Sequence, residues 1–381
     1  MPARSSTSRR AAGLTSQRSM HAGRLARVRS ALRDTPAEAL LVVNPKDIHY
    51  LTGFHGEDSW ALVRTRSATI ISDRRFETEL EAFSGRGVPT KVHIRPAGQR
   101  LAEAVAELLG PGETLGIQRA YTTLAVRAAL AKAVGARRLK AIDDPIPALR
   151  ICKDEHEIAQ IRKAIRLQEA AIEAVLPEVT PGQTETELAA LLEYEMRARG
   201  ADGVSFSTII AADANAALPH AQPGTRRLKR NGLLLVDWGA RLGGYCGDMT
   251  RAFGIGRWPK KMAEIYDIVL EAHDAGVAAI EPGRPTTEVD AAAREVIEDA
   301  GFGDEFSHSL GHGLGLDVHE APRLSTVSKE ILEPGMIVTV EPGIYLPGVG
   351  GIRIEDDVVV TDTGRRRLSR LPRDREWATL G

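Results

Sequence analysis

The sequence predicts an α+β protein of two unequal blocks, and three observations carry that prediction. Short apolar runs alternate with helical patterns over roughly the first third of the 381 residues. A Pro-containing link, AIDDPIPALRICKDEHE, then leads into a long amphipathic helix. Beyond it the chain repeats itself: Pro181-Gly182 with Glu187-Leu188 recurs as Pro282-Gly283 with Glu288-Val289, at an offset of 101 residues.

In the first block, ALLVVNP (39–45) and SATIISD (67–73) read as strands, as do KVHIRP and TLGIQR. RLAEAVAELLG (100–110) reads as a helix ended by Gly110. HYLTGFHGEDSW gathers polar and aromatic residues and reads as a surface loop. Residues 1–20, rich in Ser, Arg and Ala, read as a disordered tail, or as a stretch ahead of a true start at Met20, and are set apart from the fold. The expected organisation is therefore a tail over 1–20, an α/β domain over 21–148 and a larger domain over 149–381. In the larger domain Asp154 and Glu157 have capping-box spacing, and Ile158, Ile161, Ile165, Ile172 and Val175 follow with helical periodicity. Thr184 and Glu187 repeat the capping pattern at the head of a second helix closing near Gly200. Each copy of the echo thus reads as helix, helix, hairpin, a pseudo-twofold unit with its site between the halves.

Charge and composition exclude several classes of function. Fifty basic residues against 51 acidic ones leave a formal charge of −1, without the basic surface of a nucleic-acid binder. The run RRRLSRLPRDR (365–375) reads as a solvated charged tail. No apolar run approaches the ~18 residues of a membrane span. Two cysteines, Cys152 and Cys246, are too few for a disulfide framework, and a reducing cytoplasm is the expected compartment.

The two hairpins carry too many acids. In GLLLVDWGARLGGYCGDMTRAFG, a turn centred on Leu242-Gly243 sets Asp237 opposite Asp248; in MIVTVEPGIYLPGVGGIRIEDDVVV, a turn near Gly348 sets Glu341 opposite Glu355. Like charges facing across a ladder destabilise it, and buried carboxylates are costly unless paired. Too few basic residues are interleaved to neutralise both pairs, and four carboxylates suit two divalent cations. Three of the ten histidines fall within FSHSLGHGLGLDVHE, as His308, His312 and His319; a fourth, His220, stands in AALPHAQPG. Gly311, Gly313 and Gly315 argue against a helix there, and in an extended segment even spacing puts His308 and His312 on one face. Such a cluster downstream of a carboxylate hairpin points to ligand and acid/base work.

VDWGARLGGYCGDMTR, LPHAQPG, SHSLGHGLGLDVHE, TVEPGIYLPGVGG and GIRIEDDVVVT together resemble the ordered motifs of the pita-bread metallopeptidases. These comprise Xaa-Pro dipeptidase (prolidase), aminopeptidase P and methionine aminopeptidase. The likeness covers about 150–365, and the upstream block resembles the N-terminal domain of the creatinase/prolidase branch, which methionine aminopeptidases usually lack. The implied architecture is a C-terminal pita-bread domain with a pseudo-twofold repeat, preceded by a smaller α/β creatinase-type domain.

The resemblance implies a dinuclear site in which Asp237 binds one metal, Asp248 and Glu355 bridge, and His312 with Glu341 completes the second. The oxygen-rich set favours Mn²⁺, with Co²⁺ or Zn²⁺ as alternatives. It also implies that a metal-bridging hydroxide attacks the scissile carbonyl and that Glu341 accepts a proton. His308 and His319 contact substrate and stabilise the oxyanion, and His220 positions substrate or relays a proton. Arg353, two residues before Glu355, shares its strand face and orients the carboxylates. Cys246 shares Asp248's face by alternation but is read as packing.

The implied substrates are proline-containing di- or short peptides, with no nucleic-acid or membrane partner. Arg323, four residues after His319, resembles the arginine with which prolidases clamp a dipeptide's free carboxylate; a surface arginine is the alternative, so prolidase and aminopeptidase P both stand. A non-enzymatic binding module is the reading from another class, and the complete ligand set weighs against it. Relatives form homodimers in which the N-terminal domain can lend a loop to the neighbouring site; His55 is the residue expected there.

Overall fold

The computed structural model describes residues 6–84 and 88–381, with side chains from residue 19 onward. The chain divides into two compact units, Met1–Leu149 and Arg150–Gly381.

The first unit is built on a six-stranded sheet: β1 (Ala39–Val42), β2 (Trp60–Arg64), β3 (Ala68–Ser72), β4 (Lys91–Ile94), β5 (Leu115–Gln118) and β6 (Leu139–Ile142), ordered β4-β3-β2-β1-β5-β6. The β1–β2–β3 meander is antiparallel, and β4, β5 and β6 add in parallel. Parallel addition needs crossover helices. Helices α1 (Ser6–Leu32), α2 (Pro45–Thr52), α3 (Glu77–Ser84), α4 (Leu101–Leu108) and α5 (Leu124–Leu130) accompany the sheet, and α6 (Pro145–Ile151) ends the unit. Leu41, Leu62, Ile71, Val105, Leu115 and Ile117 fill its core. Two sequence-based boundaries move. The strand expected over 39–45 stops at Val42, because Asn44 caps α2 with Pro45 in its first turn. The tail expected over 1–20 meets no element boundary at residue 20, since α1 starts at Ser6.

The second unit shows the repeat. Helices α7 (Glu155–Val175) and α8 (Glu185–Ala198) open the first half, α9 (Lys260–Ala279) and α10 (Thr286–Asp299) the second. Both expected capping boxes form, Asp154 with Glu157 and Thr184 with Glu187. Ile158, Ile161, Ile165, Ile172 and Val175 are all buried, so the periodic stripe of α7 faces the core. The first half carries β7 (Gly203–Val204), β8 (Ile209–Ala212), β9 (Gly232–Trp238), β10 (Ala240–Leu242), β11 (Tyr245–Cys246) and β12 (Met249–Ile255). The second carries β13 (Gly311–Gly313), β14 (Glu320–Leu324), β15 (Ile337–Val340), β16 (Gly343–Leu346), β17 (Gly350–Arg353), β18 (Asp356–Thr361) and β19 (Gly364–Arg367), and β20 (Thr379–Leu380) ends the chain. Antiparallel β8–β9–β12 answers antiparallel β13–β15–β18. The two Pro-Gly turns make matching bonds: Gly182 N–H to Leu228 O (2.9 Å) in one half and Gly283 N–H to Leu332 O (2.7 Å) in the other. Glu355 N–H donates to Thr250 O (3.1 Å), bringing the end of one half-sheet to the other.

The two hairpin registers differ in outcome. In the second, Val340 pairs with Asp356 and Gly343 with Arg353, so the ladder on both sides sets Glu341 opposite Glu355 as expected. In the first, Asp237 pairs with Thr250 rather than with Asp248. The two-residue loop is Gly243-Gly244, with φ of 60° and 83°, a left-handed pair that only a glycine doublet adopts cheaply. Moving the turn by one residue moves the pairing by two, and Asp248 falls just beyond the ladder.

The basic run 365–375 is not a solvated tail. Leu368 and Leu371 are buried, Arg367 and Arg373 reach Asp356 (3.4 and 3.5 Å), and Arg375 reaches Asp267 (3.3 Å). Arg367, Arg373 and Arg375 thus answer acids of their own unit, while Arg365, Arg366 and Arg370 are exposed. No helix among the described residues is long and apolar enough to cross a membrane.

Candidate active site

Within the second unit a cavity of about 460 Å³, a size typical of small-ligand sites, is lined by Asp237, Asp248, His312, Glu341 and Glu355. His220, His308, His319, Arg323 and Arg353 line it as well. All ten residues singled out in the sequence therefore meet in one place.

The strands explain the convergence. Asp237 is the last residue but one of β9, Asp248 precedes β12, Glu341 follows β15 and Glu355 precedes β18, so all four acids stand at or next to strand ends and line the cavity. His312 sits mid-strand in β13, where Gly311 is obligatory: a Cβ there would lie 2.0 Å from Thr339 O. Ligand atoms of Asp248, His312 and Glu355 all lie within 4.8 Å of one another. His312 Nδ1 donates to the Gly313 carbonyl (3.2 Å), which turns Nε2 toward Glu341 Oε1 (3.2 Å) and Asp248 Oδ2 (3.7 Å). A ring nitrogen fixed by a carbonyl, with the other presented to carboxylates, is the usual arrangement of a metal-ligating histidine.

Electrostatics point the same way. Burial first, then repulsion from Glu355, Asp237, Asp357 and Glu341, raises Asp248 well above the carboxylate range. Burial, then Glu341 and Asp237, raise Glu355 strongly; burial and Glu341 raise Asp237 less, against the pull of Arg353. Asp237 Oδ1 is buried without a hydrogen-bond partner among the described residues. Glu341 behaves differently: burial pushes it up, but the His312 hydrogen bond and the nearby His312, His308 and Arg353 outweigh this and hold it down. An orphaned carboxylate oxygen beside two carboxyls that resist ionisation is a donor set that fits divalent cations, whose charge would remove the conflict.

Arg353 is the cation built into this set. Nη2 donates to Asp237 Oδ2 (2.5 Å), Nε to Thr250 Oγ1 (2.9 Å) and Nη1 to the Tyr345 hydroxyl (2.9 Å). Thr250 Oγ1 in turn donates to Glu355 Oε2 (2.7 Å). Arg353 thus orients two carboxylates, one directly and one through Thr250.

His308 is less free than the sequence suggests. Nδ1 donates to Ser309 O (2.8 Å) and Nε2 meets the Tyr345 hydroxyl (2.9 Å). Its backbone is held from α10, where Arg294 pairs with buried Asp290 and donates to the Phe306 and His308 carbonyls (3.0 and 2.9 Å). By contrast, the exposed imidazoles of His220 and His319 make no hydrogen bond among the described residues and face the cavity. Arg323 pairs with His312 across β13 and β14, and its exposed guanidinium makes no hydrogen bond or ion pair among the described residues. Cys246 is buried, with Sγ 3.9 Å from Leu316 O. In the first unit, the exposed His55 ring stacks on His49 at 3.6 Å.

Sequence reasoning overlooked Tyr345, Thr250, Asp290 and Arg294. Tyr345 was within reach, since Gly351 is its partner and Arg353 therefore its diagonal neighbour on the same face. Asp290 and Arg294 act from a helix about 15 residues upstream, and no local spacing ties them to His308.

The comparisons with known proteins agree with this geometry. Residues 24–152 match the creatinase/prolidase N-terminal domain. The chain is similar to the Xaa-Pro dipeptidase of Pyrococcus furiosus, 42% identical over 272 residues, 71% of this chain and 78% of that protein. Its structure is similar to that of an Xaa-Pro dipeptidase from Bacillus anthracis, with 35% identity and a TM-score of 0.88 over 93% of this chain and 99% of that one. It is also similar to an X-Pro aminopeptidase from Thermotoga maritima, with 34% identity and a TM-score of 0.84 over 90% and 98%. With residues 159–362 matching metallopeptidase family M24 as well, the acid-rich cavity lies in the matched segment, and the chain belongs to that family and is a metal-dependent peptidase.

Proposed function

We propose that this protein is an Xaa-Pro dipeptidase, cleaving the bond before proline in a free dipeptide. The observation that carries the reading is Arg323, whose guanidinium has no hydrogen-bond or ion-pair partner among the described residues and which lines the cavity across from His312. A fork of N–H donors suits a carboxylate, and a dipeptide presents one where a longer peptide presents an amide. The names of the Pyrococcus furiosus and Bacillus anthracis relatives support it.

On this reading Asp237, Asp248, His312, Glu341 and Glu355 hold two divalent ions, with Mn²⁺ favoured by the four hard oxygen ligands. When bound, such ions polarise a carbonyl and lower the pKa of water. Arg353 holds Asp237 and, through Thr250, Glu355 in place. Glu341, kept ionised, accepts a proton and returns it toward the leaving proline nitrogen, which is basic and must be protonated to depart. His319, with ring nitrogens uncommitted, donates toward the oxygen that gains charge, while His308 holds its ring for Tyr345. His220 positions the substrate. We further propose a homodimer, to which His55 contributes, and a cytoplasmic setting, in keeping with a chain that holds two cysteines.

A second reading, aminopeptidase P, draws on the Thermotoga maritima relative. Protein reconstituted with Mn²⁺ and given Ala-Pro and Ala-Pro-Ala separates the two. Hydrolysis of the dipeptide alone supports the proposal; hydrolysis of the tripeptide with the dipeptide ignored replaces it by the aminopeptidase.

A further inference from the structure

Glu185 lies outside the cavity lining, yet it holds the segment that carries His220. Its side chain is fully buried at the first position of α8, after the Thr184 cap. Among the described residues no basic group forms an ion pair with it. Instead, Oε1 accepts from Ala212 N–H (2.8 Å) and Asn215 Nδ2 (2.8 Å), while Oε2 accepts from Gly224 N–H (3.0 Å). Converging N–H donors at a helix N-terminus let an anion be buried without a cation.

The position of those donors matters. Ala212 ends β8, and Gly224 closes the excursion that follows, so one carboxylate fastens both ends of the segment between them. That segment carries Pro219, His220 and Gln222 into the cavity wall. The same helix start is stitched to the far end by Thr186 N–H to Gly224 O (3.1 Å) and Glu185 N–H to Arg226 O (3.0 Å). Near the tip, Arg353 Nη1 donates to Pro219 O (3.4 Å). The His220 ring makes no hydrogen bond among the described residues, so its place depends on its backbone, whose two ends the clasp holds.

We propose that Glu185 is the positioning residue of His220: its carboxylate fixes the ends of the 212–224 excursion so that the imidazole stands ready at the cavity wall. This rests on the reading that His220 acts on substrate. The test is a double-mutant cycle of Glu185→Gln and His220→Ala in the metal-loaded enzyme, joined to amide exchange over residues 213–223. Gln keeps one acceptor and turns an amide NH₂ toward a donor, so one end of the clasp opens.

Glu185→Gln is expected to speed exchange across 213–223 and to lower kcat/KM for Ala-Pro by about tenfold, the scale of a small misplacement in an active site. In the His220→Ala background the same substitution should cost almost nothing more, because residues acting as a unit are not additive. An equal loss in both backgrounds overturns the proposal in favour of a general structural role. Unchanged exchange over 213–223 overturns the clasp itself. Full activity of His220→Ala alone overturns the reading of His220, and with it the catalytic part of the proposal, whatever the exchange shows. Should Glu185→Gln not fold, Asn215→Ala, which removes a side-chain donor from the carboxylate, carries the same signs.

Discussion

The Tyr345 hydroxyl lies 2.9 Å from His308 Nε2, and the direction of that hydrogen bond is fixed from both ends. Arginine only donates, so the tyrosine oxygen accepts from Arg353. A carbonyl only accepts, so His308 Nδ1 carries the proton it gives to Ser309 O. Burial, with Arg353 and Arg294 nearby, lowers the His308 pKa and keeps the ring neutral. Nε2 therefore has no proton, and Tyr345 donates to it. Arg353 thus donates both ways, to Asp237 and to Tyr345, and from Tyr345 the sense runs on through His308 to the Ser309 carbonyl.

Tyr345→Phe breaks that chain in the middle. It should lower kcat about tenfold, the worth of one hydrogen bond, with little change in KM. It leaves an Arg353 N–H buried and unpaired, which should cost about 1–3 kcal/mol of stability. Steady-state kinetics and denaturant unfolding measure the two effects separately.

Arg323→Gln tests the carboxylate clamp. Because the side chain is exposed and unpaired, the melting temperature should not move. KM for Ala-Pro should rise about 10- to 100-fold, on the scale of a lost charge-assisted pair, with kcat largely kept. A blocked dipeptide without a free carboxylate should bind wild type and variant alike.

The metal-free protein should lose stability as the pH rises. Asp237, Asp248, Glu355 and Asp357 have carboxyls raised by burial and by one another. A group raised on folding gives its full contribution below its unfolded value of about 4 and loses it as pH climbs through the folded value. The depressed Glu341 runs the other way, losing its contribution as the pH falls through the acid range. Buried His273 and His308, also depressed, lose theirs as the pH drops below about 6.5. Above about 6.5 only the raised carboxyls of this set remain. Melting curves of chelated protein should therefore shift down as the pH rises above about 6.5, and a divalent cation should flatten the slope.

How much of this was legible in the sequence varies by residue. Local rules found the caps at Asp154 and Thr184 and the buried face of α7, because those depend on neighbours three or four positions away. The turn near Gly348 gave the pairing of Glu341 with Glu355. The Asp237 pairing was missed because two glycines in a row offered two turn centres, and only the ladder decides between them. Glu185, Asp290 and Arg294 were invisible because each acts on a segment brought to it by the fold. The basic run 365–375 misled for the same reason: its acidic partners Asp356 and Asp267 lie on other elements.

Behind the site, Arg251 and Asp356 form a fully buried pair at 2.7 Å, and Arg251 also donates to the Glu355 carbonyl (2.5 Å). Arg251→Met leaves a buried carboxylate with weaker partners and frees the backbone of a proposed metal ligand. It should destabilise the protein by about 3 kcal/mol in denaturant unfolding and weaken metal uptake.

The central claim, that the five converging residues hold metal for Xaa-Pro hydrolysis, is tested most directly by titrating Mn²⁺ into chelated protein while following Ala-Pro turnover, beside Asp248→Asn. The account predicts no turnover in the chelated enzyme, recovery that saturates with added Mn²⁺, and none in the variant. Undiminished hydrolysis by the chelated protein, or full recovery by Asp248→Asn, would contradict it.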